Sequence, residues 1–512
     1  MSPKTYSENT SENSYTGRPS GEMSLYQGSM SSSETNRYRL RMWVDEEYNS
    51  QGDGGSLSFS VKVNVYGKDG NPEDLYKTIA DTLLTEISED NLYDDGTDTF
   101  ITGEEPNNYI WYSGKLWRAV LVNNSSKTTK LVTQWNISGI HYDDDSSAFE
   151  GSYMESWLND TSVDGFLGNL REPEKFIVMD AKWDATMDDR EFGSITRPNG
   201  TTIVSKAVGL LNMYETQTSY RGTTPRNGYL NNILASWTLT PNNSSNIFVA
   251  VNLDPIFQGY SVRTGMGVRP SINLKSDVKI VSGSGTEEDP YRLAGDNDSN
   301  LRGTMLNTRY SGEYIRFGIG ENNLYQIVSH ENGTGTKIVS AEPLKDSGSF
   351  KLMLFGGNNI FSSTNTIGTF LNGEYLTSGK YLTTEQVNMI EDSSTWYLGN
   401  VGNGENYKLS KYTDTSGNTL TSNITNAKVG LLRLGELMAG QFDIYTNTSK
   451  YLLLTPVDSY RYINIVGGGS EISINWYNEK AYGVKPTMNL KSNIVITSGD
   501  GTKENPFEIT LQ

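Results

Sequence analysis

The sequence predicts an α+β protein: two tandem copies of one module, preceded by a β-hairpin module and a connecting helix. Three observations carry this. A ten-residue motif, Gly267-Val268-Arg269-Pro270-Ser271-Ile272-Asn273-Leu274-Lys275-Ser276, returns 216 residues later as Gly483-Val484-Lys485-Pro486-Thr487-Met488-Asn489-Leu490-Lys491-Ser492. Weaker echoes keep the same order at nearly the same offset. Ahead of both copies, apolar residues recur first with period two and then every four residues, the signatures of strands and of a helix.

In chain order, residues 1–35 are rich in Ser, Thr and Glu, the composition of a mobile segment. Residues 36–70 read as the β-hairpin module. Tyr38, Leu40, Met42 and Val44 alternate with Arg37, Arg39 and Arg41, and Leu57, Phe59, Val61, Val63 and Val65 with Ser58, Ser60 and Lys62. Residues 71–96 hold the connecting helix and a linker: Asn71-Pro72-Glu73-Asp74 reads as a helix start, and Leu75, Ile79, Leu83 and Ile87 form one apolar stripe. The copies occupy residues 97–294 and 303–512. Tyr109-Ile110 with Leu116-Trp117-Arg118-Ala119-Val120 corresponds to Tyr314-Ile315 with Leu324-Tyr325-Gln326-Ile327-Val328. Trp157-Leu158-Asn159 corresponds to Phe370-Leu371-Asn372, Val208-Gly209-Leu210-Leu211 to Val429-Gly430-Leu431-Leu432, and Trp237-Thr238-Leu239-Thr240-Pro241 to Leu452-Leu453-Leu454-Thr455-Pro456. Each copy closes in a hairpin around a Gly-rich turn, Gly283-Ser284-Gly285-Thr286 and Gly499-Asp500-Gly501-Thr502. The polar stretch between them reads as an exposed linker.

Composition excludes several function classes. The 42 Lys and Arg against 61 Asp and Glu leave a formal net charge of −19, which argues against nonspecific nucleic-acid binding and adhesion to anionic lipid. No window approaches the ~18 consecutive apolar residues of a membrane span, and residues 1–35 show no apolar signal region. The absence of Cys excludes disulfides, thiolate metal sites and cysteine nucleophiles. Only His141 and His330 can supply imidazole.

The ordered set of strand motifs, ending in GVRPSINLKS and the Gly-Thr turn, resembles an uncharacterised repeat domain of Firmicute surface proteins related to the C-type lectin and formylglycine-generating-enzyme fold. It covers about 400 of the 512 residues, and the second copy departs from it at Lys485, where the family usually has Arg. Residues 37–67 resemble, less specifically, the last strands of the camelysin-type surface β-sandwich. The resemblance implies two tandem C-type-lectin-like domains, in which a few helices flank a short core sheet and long loops carry the variable chemistry. It also implies an extracellular place at the surface of a Gram-positive bacterium. Enzymes of that superfamily oxidise a cysteine or use three histidines on iron. A chain with no Cys and two His reproduces neither, so no enzyme of that type is expected.

By the same resemblance, ligands meet the loops between the TLTP and GVRP strands, residues 242–266 and 457–482. The second loop holds Tyr460, Arg461, Tyr462, Asn464, Trp476 and Tyr477, and the first Asn252, Asp254, Gln258, Tyr260 and Arg263. Rings beside amide and guanidinium donors offer flat apolar area and directional hydrogen bonds, as a glycan or protein ligand requires. Packing of the loop interior by Trp476 and some tyrosines is the competing reading. No catalytic residue and no cofactor are assigned. His141 beside Asp143-Asp144-Asp145 reads as a solvated acidic loop, and no carboxylate pair is marked out for a hydrolase. Ca²⁺ is the one ion considered: Asp296-Asn297-Asp298-Ser299-Asn300 fails as a calcium loop because Leu301 and Asn307 stand where Gly and Glu are needed. Asp143 to Asp145 and Asp94-Asp95 are the remaining acid clusters. Arg269 and Lys485 are expected to pair with a carboxylate or carbonyl inside their own copies, and Trp117 and Trp157 to be core.

The sequence therefore reads as a bacterial extracellular binding or adhesion protein. The alternative is a structural subunit of a surface filament, self-associating by strand complementation through residues 36–66.

Overall fold

The computed structural model describes residues 76–512 except 163, 189–195, 225–226, 233, 251–256, 296–300, 331–334, 358, 399–422, 425–426, 440–449, 459–460, 467–470 and 477–479. The chain divides into two compact units, Met1–Lys77 and Thr78–Gln512. The segment 1–35 and the hairpin module at 36–70 lie outside the described residues. Across the second unit sheet outweighs helix, as in a mainly β or α+β protein.

Helix α1 (Ile79–Glu86) opens the second unit, later than the Asn71 start expected from sequence. Thr78, in extended backbone, accepts the Asp81 N–H with its hydroxyl and is the N-cap. The expected stripe survives from Ile79 through Leu83 to Ile87, all three buried in the core of the sheets that follow. Asn71 to Leu75 lie outside the described residues.

The next strands are β1 (Tyr109–Tyr112), β2 (Lys115–Asn123), β3 (Thr129–Thr133), β4 (Ser138–Ile140), β5 (Val208–Gly209), β6 (Ser236–Asn243), β7 (Asn246–Ala250), β8 (Phe257–Ser261), β9 (Met266–Val268), β10 (Ser271–Leu274), β11 (Ile280–Ser282) and β12 (Tyr291–Leu293). They form two sheets, ordered β11-β12-β1-β2-β3-β10-β5 and β8-β7-β6-β9-β4, and the first also takes the earlier hairpin Leu92–Asp94 and Asp98–Ile101, whose second strand pairs with β2. Twelve strands of the second segment match these: β13 (Tyr314–Arg316), β14 (Leu324–Ser329), β15 (Thr336–Ser340), β16 (Leu352–Met353), β17 (Val429–Gly430), β18 (Tyr451–Asp458), β19 (Arg461–Val466), β20 (Glu471–Trp476), β21 (Tyr482–Gly483), β22 (Thr487–Leu490), β23 (Ile494–Ser498) and β24 (Glu508–Leu511). Their sheets run β13-β14-β15-β22-β17 and β20-β19-β18-β21-β16, with β23 paired to β24. This is the first plan with each strand moved on by twelve. β1 also meets β12, and β13 meets Phe507 beside β24, both parallel. Among the described residues no sheet takes strands from both segments.

Each echoed motif has a job in this plan. The Asn of WLN and FLN ends helix α2 (Tyr153–Asn159) or α4 (Thr366–Asn372) and pairs with β5 or β17 as a neighbouring strand would. Asn159 Nδ2 donates to Val208 O at 3.0 Å while its Oδ1 accepts Val208 N–H at 3.0 Å. Asn372 does the same with Val429 at 2.9 and 3.0 Å. The Gly of VGLL is a close approach: a Cβ on Gly209 would stand 2.4 Å from the Trp183 ring, and one on Gly430 2.8 Å from the Trp396 ring. The Thr before Pro in TLTP and LLTP accepts the first N–H of the helix that follows VGLL. Thr240 Oγ1 takes Met213 N–H at 2.9 Å for α3 (Met213–Thr218), and Thr455 Oγ1 takes Leu434 N–H at 2.8 Å for α5 (Leu434–Ala439). That amide is otherwise an orphan of the helix end. GVRP leads into β10 and GVKP into β22, each between two partners. In the closing turns Gly283 and Gly285, then Gly499 and Gly501, all have positive φ, which excludes a side chain without strain.

Trp117 and Trp157 are buried, as expected. The stretch between the segments, expected to be exposed, is in part buried: Leu301 is packed away, and Val328, Val339, Leu432, Leu434, Leu437, Tyr451 and Leu453 of the second segment join the apolar core of the first. Helix α5 lies against β4. Polar contacts add to this seam, with Lys115 Nζ donating to Ser311 O at 3.3 Å and the Trp111 and Tyr314 rings 6.5 Å apart.

Candidate functional site

The regions expected to be long ligand loops are largely strands. β6, β7 and β8 form an antiparallel meander, as do β18, β19 and β20. Alternation is missing from β7 because both its faces are covered. Ile247 enters the main core, and neighbouring Phe248 packs on Met213 in a second small cluster. A strand buried on two sides has no polar face for the sequence to display. Asn243 Oδ1 accepts Ser245 N–H at 3.0 Å and closes the β6–β7 turn.

On β8, Gln258 is exposed and accepts the Tyr260 hydroxyl at 3.1 Å, while Tyr260 is half-buried. Arg263 is exposed after β8, its Nε donating to Asp144 O. These three therefore lie on or just after β8, the outer strand of the first meander. Asn252, Asp254, Tyr460 and Tyr477 lie outside the described residues. For Arg461, Tyr462, Asn464 and Trp476 the backbone is described: Arg461 stands opposite Trp476, Tyr462 opposite Asn475 and Asn464 opposite Ser473, across β19 and β20.

The acids weighed for Ca²⁺ are engaged locally. Asp143 Oδ1 accepts Tyr153 N–H at 3.1 Å and its Oδ2 accepts Ser146 N–H at 3.1 Å. Asp94 Oδ1 accepts Gly96 N–H and Asn124 Nδ2 at 2.8 and 2.7 Å. Asp95 accepts from Arg197 and from the Tyr214 hydroxyl, the latter at 2.7 Å. Among the described residues no group of three or more His, Asp and Glu is placed to hold a metal ion, and no described helix is long and apolar enough to cross a membrane.

Two buried polar centres escaped the sequence reading. The first occurs once in each segment. Lys130 on β3 donates to Glu215 of α3 beneath the Trp183 ring, 4.7 Å from its centroid. Lys337 on β15 meets Glu436 of α5 at 2.5 Å, 5.2 Å from the Trp396 ring. Both glutamates also accept the N–H of the residue three before them, Asn212 and Arg433, at 3.0 Å. Burial alone pushes the Glu436 carboxyl up, but the charges of Lys337 and Arg433 outweigh it and hold the group below its usual range. The available signal was the spacing VGLL-x-x-x-Glu, common to Val208 through Glu215 and Val429 through Glu436. The lysines lie 85 and 99 residues from their partners and carried none.

Among the described residues the second centre occurs in the first segment alone. Arg118 on β2 is 2% exposed, its guanidinium 3.6 Å from the Tyr109 ring centroid and 4.8 Å from that of Tyr229. Its Nε donates to Asn108 Oδ1 at 2.6 Å and one terminal nitrogen to Pro106 O at 3.3 Å. Arg269 is 7% exposed and, as expected, bonds carbonyls: Nε donates to Thr133 O and Nη1 to Leu230 O, both at 2.8 Å. Burial lowers the pKa of both guanidinium groups, and Arg118 adds to the effect on Arg269.

Comparison with family models, with curated proteins and with solved structures finds no match for this chain.

Proposed function

We propose that the chain is a bacterial extracellular, cell-surface binding or adhesion protein, with no enzymatic role. In this reading residues 97–294 and 303–512 are two tandem C-type-lectin-like domains that recognise a glycan or protein ligand without a cofactor. The observation that carries the reading is the recurrence of one twelve-strand plan with a three-stranded meander at the same point in each segment. The meanders hold the ligand residues: Gln258, Tyr260 and Arg263 on the first, with Asn252 and Asp254 between its strands. Arg461, Tyr462, Asn464 and Trp476 lie on the second, flanked by Tyr460 and Tyr477. The exposed Gln258, which accepts the Tyr260 hydroxyl, and the exposed Arg263 after the same strand offer a ring together with donors and acceptors. A glycan array and a panel of host surface proteins, probed with the full chain and with Tyr260→Ala and Trp476→Ala, test it. Removing a ring that stacks on the ligand should weaken binding roughly thirtyfold. Binding that survives both substitutions unchanged would move the site elsewhere.

One observation favours the filament alternative. The stripe of α1, a candidate to cover an apolar hairpin face at 36–66, is buried in the core of its own unit. Sedimentation of the full chain across a concentration series tests this: self-association that disappears on removing residues 1–70 supports the filament, and a monomer at every concentration removes it.

A further inference from the structure

The geometry points to an anion-binding site in the first segment, formed by Arg118 and Arg269 and suited to a monoanionic oxyanion group, a carboxylate or a sulfate ester. The site belongs to the sheet containing β2, and its argument is independent of the meanders.

Two guanidinium groups are buried there, each against one of two adjacent residues of a turn. Arg118 stacks on the ring of Tyr229, and Arg269 donates to the carbonyl of the next residue, Leu230. Arginine stays charged at any physiological pH, and burying a charge without a counter-ion is expensive unless something else neutralises it. Neither forms an ion pair among the described residues; their bonds go to carbonyls and an amide oxygen, and the acids acting on Arg118, Glu105 and Glu287, are exposed side chains. Arg269 Nη2 is buried with no hydrogen-bond partner. The other buried arginines differ in having an acid: Arg309 meets Glu313 at 2.5 Å, and Arg433, two of whose nitrogens also lack a hydrogen-bond partner, stands 3.8 Å from Glu436.

The second segment shows that the fold does not require a cation on β2. Gln326 occupies the Arg118 position, opposite Tyr314 as Arg118 is opposite Tyr109, and donates to Gly312 O at 3.4 Å. A neutral amide therefore satisfies the same strand position. The charge at Arg118 is an addition to the fold, and it acts on Arg269, whose Nη2 has no hydrogen-bond partner. A guanidinium fork matches the planar spacing of oxyanion oxygens. In so dry a place a monoanion loses less hydration than a phosphate dianion would.

The test uses the full chain in isothermal titration with glucuronate, glucose 6-sulfate and neutral glucose. At least one of the two anions should bind saturably while glucose does not, and which of them binds identifies the group. Arg118→Gln, which copies the second segment and so should fold, is expected to weaken binding by at least ~tenfold, the loss of one charge-assisted hydrogen bond. Arg269→Lys should do the same. If Arg269→Lys does not fold, Arg118→Gln decides alone. No saturable binding of either anion to the wild-type chain, equal binding of glucose, or binding unchanged in Arg118→Gln overturns the site.

Discussion

Replacing Lys337 with Met would take the ammonium away from a carboxylate that has almost no access to water. The two side chains are 3% and 2% exposed and meet at 2.5 Å, so solvent cannot take over as partner. Breaking one side of such a pair costs about 3–5 kcal/mol, whereas neutral replacement of both members costs far less. The surroundings decide where each single substitution falls. After Lys337→Met, Glu436 keeps an Arg433 guanidinium nitrogen at 3.8 Å and the Arg433 N–H at 3.0 Å, which places the cost near the lower end, about 3 kcal/mol. After Glu436→Gln, Lys337 and Arg433 both lose the acid they share, and the cost approaches about 5 kcal/mol. The double variant should fall short of the sum of the singles by at least ~2 kcal/mol. Urea unfolding followed by tryptophan fluorescence reports this directly, because the Trp396 ring lies 5.2 Å from Lys337 Nζ. Since the folded carboxyl is held below its unfolded pKa, the pair's contribution is complete above about pH 4.3 and is lost as the pH falls further. Strictly additive costs, or a Lys337→Met variant within ~0.5 kcal/mol of wild type, would refute the reasoning.

The other predictions follow from the motifs. Gly209→Ala drives a Cβ to 2.4 Å from the Trp183 ring and should cost about 1–3 kcal/mol, more than Gly430→Ala at 2.8 Å from Trp396; thermal melts that show no loss in either would remove close approach as the reason for VGLL. Thr240→Val leaves the Met213 N–H without its acceptor and should destabilise by about 1–3 kcal/mol, seen also as faster hydrogen exchange at that amide; unchanged exchange would count against the cap. Burial pushes the Asp95 carboxyl up, but backbone N–H groups, the Tyr214 hydroxyl and Arg197 together bring it down to about 2. Its contribution should therefore be present above about pH 4 and fade as the pH falls towards 2. Arg197 is 38% exposed and solvent screens the pair, so the effect should stay below ~1 kcal/mol. An NMR titration midpoint for Asp95 that does not rise in Arg197→Ala would contradict this account.

The repeat was legible in the sequence because each echoed residue does a job that few others can do. Only Gly fits against Trp183 or Trp396, only a side-chain amide replaces a strand at Val208 and Val429, and only a hydroxyl at Thr240 or Thr455 caps the helix in that space. Such local demands fix identity and spacing along the chain, so the order of motifs and the apolar stripe of α1 could be read directly. Three things needed tertiary structure. The start of α1 was decided by Thr78 reaching Asp81 N–H, when Asn71-Pro72 offered an equally good local signal. The meanders were hidden because β7 is covered on both faces and shows no alternation. The buried pairs Lys130–Glu215 and Lys337–Glu436, and the meeting of Arg118 with Arg269 around Tyr229 and Leu230, join residues far apart in the chain. Charge is a property that sequence reports, but its burial and its partner are set by packing. A lysine on a strand looks the same whether it faces water or a tryptophan and a glutamate 99 residues away.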